Sequence, residues 1–175
     1  MASDRENFYY MKKSITTDLT PANIASVLEI LAASPSKLEV LTKSLPKVKW
    51  NQPLGKDERT PVEVLAHMLN SEARSAEMIY QALLVDEPYF VTVHSERELG
   101  KLLHFDLLEF TELLAYFQIR RKVLLRVLSN LKENDWGRTL REEGKQRKGS
   151  VYWRARTIAM HEQEHLEDLE KKLLI

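Results

Sequence analysis

Residues 106–131, DLLEFTELLAYFQIRRKVLLRVLSNL, are the longest stretch of the chain with helical periodicity. Phe110, Leu113, Leu114, Phe117, Leu124 and Leu128 recur at helical spacing and fall on one side of a helix. Such a helix is stable only if its stripe is buried against other elements, and the flanking sequence supplies them. Upstream, Thr60-Pro61-Val62-Glu63 is a capping box with proline at the first helical position. The spacing predicts a helix from there to about Leu84, stopped by Pro88. Further upstream, Thr20-Pro21 opens another helix, with Ile24, Val27, Leu28 and Leu31 on its apolar side. Ser34-Pro35 repeats the punctuation, which predicts a break into a longer helix and a short one ending near Leu45. Downstream, Ser150 caps a last helix that runs nearly to the terminus. The segment from Glu87 to His104 is mixed, and EEGKQRKG (142–149) reads as a charged loop whose Lys145-Gln146-Arg147-Lys148 cluster is solvated. The expectation is an all-α, up-down four-helix bundle with elaborated loops, one domain over 1–175 with an N-terminal extension at 1–19.

Composition narrows the chemistry. The chain has 175 residues, no cysteine, and 26 Lys+Arg against 26 Asp+Glu. Without cysteine there is no disulfide framework, zinc finger, iron–sulfur cluster or thiolate nucleophile, so any metal must be held by His, Asp or Glu. Balanced charge argues against nucleic acid as a partner. Five glycines allow no G-x-G-x-x-G, and the Gly144/Gly149 pair at P-loop spacing is followed by Ser150 and Val151 rather than Lys and Ser/Thr. No stretch approaches the roughly 20 apolar residues of a membrane span, and the N-terminus has no apolar leader. The expectation is a cytoplasmic protein with a small-molecule substrate and no membrane partner.

The last helix contains His161-Glu162-Gln163-Glu164-His165. Histidines at i and i+4 project from one face a turn apart, where two imidazoles reach one ion. The string matches the H-E-x-x-H signature, yet no histidine follows His165 to serve as the third ligand of such proteases. A ferritin-like two-metal site is also excluded, because Glu162-x-x-His165 is the only Glu-x-x-His in the chain. One mononuclear site with a third ligand from upstream is the economical reading, and His67, His94 and His104 are the candidates. At about 100° per residue, His67 falls well away from the stripe of Leu65, Leu69, Ala76, Ile79 and Leu83, and His161 and His165 flank the stripe of the last helix. A site at the bundle's edge, in an open cleft, follows. His94 and His104 read as surface residues, and Tyr152, Trp153 and Trp136 as packing rather than pocket walls.

The same projection puts Glu72 and Glu162 inside apolar stripes, with Arg121 close to a third. Buried charges are costly unless paired, so Arg121 is expected to bond one or both carboxylates beneath the site.

EVLAHMLNSE (63–72) with His67, FQIRRKVLLRVLSNLKENDW (117–136) and HEQEHLEDL (161–169) resemble the DinB-like superfamily of four-helix bundles, in the same order and at similar separations. The resemblance covers Lys49 to the end and extends to the first helix. It implies a divalent metal, commonly zinc or nickel, on His67, His161 and His165. Similar members include thiol-dependent transferases and isomerases that use low-molecular-weight thiols, such as bacillithiol transferases and the mycothiol-dependent maleylpyruvate isomerase. Other members have no known activity. The resemblance also implies a possible homodimer, while the family's name refers to damage-inducible expression and implies no contact with DNA.

Two functional classes therefore stand at this stage. One is a metal-dependent transferase or hydrolase, with Glu162 or Glu164 as an orienting or proton-accepting group and a low-molecular-weight thiol as a possible cosubstrate. The alternative is a non-catalytic stress-response or binding bundle whose metal is structural, with a fourth carboxylate ligand, or absent.

Overall fold

The structure is a computed structural model that describes residues 15–43 and 45–173. Helices α1 (Pro21–Lys43), α2 (Pro61–Leu84), α4 (Phe110–Ser129) and α6 (Val151–Leu173) form the bundle. Short helices α3 (Glu96–Leu103) and α5 (Glu133–Trp136) and strands β1 (Tyr89–Phe90), β2 (Thr139–Glu142) and β3 (Gly149–Ser150) lie in the connections. The all-α four-helix bundle with elaborated loops is the expected class. No helix among the described residues is long and apolar enough to cross a membrane.

The start of α2 follows its sequence closely. The Thr60 side chain accepts from the N–H of Glu63 at 3.1 Å, and the Glu63 carboxylate accepts from the N–H of Thr60 at 2.8 Å. Ser150 caps α6 by accepting from the N–H of Trp153 at 3.1 Å. In α1 the expected break is absent: the helix runs continuously through Pro35 to Lys43. Proline has no N–H for the carbonyl four residues back, which here belongs to Leu31. That carbonyl instead accepts from Arg121 Nη1 of α4 at 2.7 Å, so the interrupted ladder is completed by another helix.

Both α1 and α2 pack against α4 and α6, which puts α1 diagonal to α2 and α4 diagonal to α6. Ion pairs and hydrogen bonds set the directions. Lys37 meets Glu170, while Tyr152 donates to the Thr16 carbonyl, so α1 and α6 run the same way. Glu58 meets Lys172, while Arg138, whose carbonyl accepts from Val151, donates to the Ala82 carbonyl, so α2 runs opposite to α6. Gln118 reaches Glu39 and Arg121 reaches Leu31, so α4 runs opposite to α1. Along the chain the directions are up, down, down, up, and the connection 85–109 carries the chain back along the bundle.

That connection and the 137–150 segment hold elements the sequence did not announce. β1 pairs parallel with β2, and β2 pairs antiparallel with β3. EEGKQRKG is the loop of the β2–β3 hairpin, with only Glu142 and Gly149 in the strands, and Lys145–Lys148 are exposed as expected. Glu142 of β2 bonds Arg74 of α2 at 3.0 Å and Arg154 of α6 at 2.6 Å, clamping the two helices. Gly100 lets α3 lie close on α2, because a Cβ there would sit 2.9 Å from the Asn70 amide nitrogen. His104 ends α3 in the left-handed conformation, φ 48. Of the expected extension at 1–19, residues 15–19 belong to the body, with Ile15 buried in the core. Residues 1–14 lie outside the described ones.

Candidate metal centre

His67 sits in the second turn of α2, on a helix whose start is fixed by the capping box, and His161 and His165 stack one turn apart on α6. Because α2 and α6 are antiparallel neighbours, the three imidazoles meet at one place. His161 Nε2 lies 3.1 Å from His67 Nε2 and 3.1 Å from His165 Nε2. One nitrogen from each ring lies within 4.8 Å of the others, and no fourth side chain among the described residues joins the group. The ring planes are splayed, by 86° for His165 against each partner. Histidine nitrogens bound tetrahedrally at about 2.0–2.1 Å from an ion stand about 3.3 Å apart, so the donor set fits a single divalent ion.

All three rings are half-buried. Burial first, then the Arg59 guanidinium and the other two imidazoles, pushes His67 down to about 4. His161 and His165 are lowered as well, chiefly by burial. Lowered values leave neutral rings with lone pairs at neutral pH, the form that ligates. Glu164 and Glu96 oppose the shift at His161, and Glu164 and Asp168 oppose it at His165.

The site opens on a groove of about 860 Å³ along α6, lined among others by Trp153, Thr157, Met160 and Glu164 as well as His161 and His165. Trp153 is thus a groove wall, a departure from the packing role expected of it, whereas Tyr152 and Trp136 are buried in the core. The Arg147 guanidinium lies 5.2 Å from the Trp153 ring. His94 and His104 are exposed and stand outside the triad.

Beneath the triad the expected charge cluster is present. Arg121, Glu72 and Glu162 are 2%, 1% and 1% exposed. Arg121 Nη2 bonds Glu72 Oε2 at 2.7 Å and also Glu162 Oε1, and the guanidinium stacks 4.9 Å from the Phe117 ring. Arg120 bonds the other Glu72 oxygen at 3.2 Å, so two cations balance two carboxylates. Burial raises Glu162, opposed by Arg121. Through Leu31 of α1, Glu72 of α2 and Glu162 of α6, the Arg121 side chain joins all four bundle helices. Glu162 neighbours His161 in sequence, and Glu72 lies little more than a turn beyond His67. The cluster therefore fixes the helix segments that carry the histidines.

Glu162 faces the core and Glu164 faces the groove, so only the second is presented to a bound molecule. Sequence reasoning missed Arg59 and Glu96 as neighbours of the triad. Arg59 directly precedes the capping box of the helix bearing His67, which was a usable signal, whereas Glu96 belongs to a helix the mixed segment did not reveal.

The sequence profile of the DinB superfamily matches residues 30–169, and the chain belongs to that superfamily. Among solved structures, YfiT from Bacillus subtilis is similar with a TM-score of 0.79 at 14% identity, covering 90% of this chain and 89% of that one. YfiT is described as "a probable metal-dependent hydrolase with an unusual four-helix bundle topology". At this identity the likeness establishes the fold. No curated protein sequence matches the chain.

Proposed function

We propose that the protein is a metal-dependent enzyme of the hydrolase or thiol-transferase type, with one divalent ion, zinc or nickel, on His67, His161 and His165. The observation that carries this reading is the convergence of three neutral imidazoles, two of which line an open groove, with no fourth side chain among the described residues to close the set. A structural metal is normally enclosed by four protein ligands, so the same observation favours catalysis over the structural alternative. When bound, such an ion polarises a water or a thiol and brings its pKa toward neutrality.

The chain's own residues divide the remaining work. His67 supplies the donor from α2, and His161 and His165 supply the second and third from one face of α6. Glu164, exposed beside both, is placed to accept the proton released in the groove. Glu162, held by Arg121, keeps the α6 backbone at His161 in place. Trp153 and Met160 give the substrate an apolar wall. Because the chain has no cysteine, a thiol, if used, arrives as a small cosubstrate. The description of YfiT supports the hydrolase branch, and the family resemblance supports the thiol branch.

Screening the zinc- and nickel-loaded protein against esters, amides and electrophile-plus-thiol pairs tests this. The expected result is turnover in one class that disappears in His67→Ala and falls about 10²-fold in Glu164→Gln with metal content unchanged. A loaded protein inert in all three classes would leave the structural-metal reading standing.

A further inference from the structure

The groove along α6 is electrically lopsided. Before the histidines it is lined by Trp153 and Arg156, and beside and beyond them by Glu164, Glu167 and Asp168, with Lys171 at the end. Two guanidiniums stand on the Trp153 ring, Arg147 of the β2–β3 loop at 5.2 Å and Arg156 at 5.6 Å from its centroid.

The cations around this pair are already satisfied. Arg154 bonds Glu142 at 2.6 Å, Arg138 donates to the Ala82 and Val85 carbonyls, and Lys148 meets Glu87. Arg147 and Arg156 make no ion pair among the described residues, and Arg156 uses Nε alone, which donates to the Ile15 carbonyl at 2.7 Å. That bond pins the base of the guanidinium and leaves its Nη donors for a ligand in the groove it lines. Arg156 precedes His161 by five residues and Trp153 precedes it by eight, so the cation pair lies about 8–12 Å along α6 from the first histidine.

We propose that the groove takes an anionic substrate, a molecule with a carboxylate about 10 Å from its reacting group, the span of three extended peptide units, and that Arg156 and Arg147 receive that carboxylate. Guanidiniums bind a carboxylate through paired N–H donors, and stacking on the indole holds the forks in place for it. Glu164, Glu167 and Asp168 repel the same anion, so the order of charges fixes which way round the substrate lies. An uncharged molecule of the same length leaves the arginine pair without a partner, which gives the groove its selectivity. Reaction at the other end rests on the ion held by His67, His161 and His165, whereas capture of the carboxylate does not.

Isothermal titration calorimetry of the full chain tests both ends, with the zinc content of each sample measured and far-UV circular dichroism as the folding control. In the metal-free protein suberate should bind about tenfold more tightly than its neutral diamide. The difference should vanish in Arg156→Gln and shrink in Arg147→Gln, a change confined to an exposed loop residue. In the zinc-loaded protein suberate, long enough to reach from the ion to Arg156, should bind about tenfold more tightly than succinate or octanoate. Both variants should lose that preference in the same order with zinc content unchanged. A sample that takes up no zinc fails the metal reading alone and leaves the first comparison to decide on the carboxylate. Equal binding of suberate and its diamide by the metal-free wild type overturns the proposal. So does a preference that survives Arg156→Gln and Arg147→Gln, or a loaded protein that binds octanoate as tightly as suberate.

Discussion

Arg121 is the residue on which the site and the core meet. Its guanidinium bonds one oxygen of each of two buried carboxylates and a carbonyl that Pro35 leaves without its helical donor. Removing one partner of a buried ion pair costs about 3–5 kcal/mol, because the charge left behind is uncompensated. Arg121→Met should lose that order of stability in a urea titration, and metal analysis should show reduced occupancy, since the helix segments bearing His67 and His161 are no longer tied together. Unchanged melting together with unchanged metal content would contradict the role. This cluster was legible in the sequence because helical geometry alone places Glu72, Glu162 and Arg121 on inward faces, and a buried charge demands a partner. The third bond, to Leu31, was not legible, since it depends on how α1 sits against α4.

At the scale of elements, the punctuation of α2 is strong enough to predict from. Thr60→Ala removes one half of the capping box and should cost about 1 kcal/mol in thermal or urea unfolding, with His67 still able to ligate. A loss of several kcal/mol would mean that Thr60 does more than cap. Pro35 shows where the same punctuation misleads: a proline ends a helix only if the carbonyl it orphans finds no other donor, and here Arg121 provides one. The small sheet was hidden for a different reason. Its strands are two to four residues long, and β2 buries Glu142 through ion pairs rather than through an alternating apolar face, so no period of two is visible. The residue pattern carried the long helices and left out the pieces held by long-range charge pairs.

The whole molecule couples folding to protonation through the triad. His67 is held at about 4 in the folded chain, against 6.5 for a free histidine, and His161 and His165 are lowered too. Between those values the unfolded chain binds more protons than the folded one, so stability rises with pH across that window. The metal-free protein should therefore be fully stable above about pH 6.5 and lose stability as the pH falls toward 4. Thermal melts across this range should show a shallower fall for His67→Gln, and parallel curves for the two proteins would contradict the account. The fold class was legible from four amphipathic stretches, but the up, down, down, up order was not. A connection of 25 residues, from 85 to 109, can either turn back locally or return along a helix about 36 Å long. Nothing in its mixed composition chooses. The spacing of His161 and His165 was legible for the opposite reason, being fixed within one helix. The central claim is that His67, His161 and His165 hold one ion, and metal analysis of untagged protein purified without added metal tests it most directly. The account predicts about one divalent ion per chain, lost in His67→Ala while the helical content is kept. Protein without stoichiometric metal, or a His67→Ala variant that retains full occupancy, would contradict it.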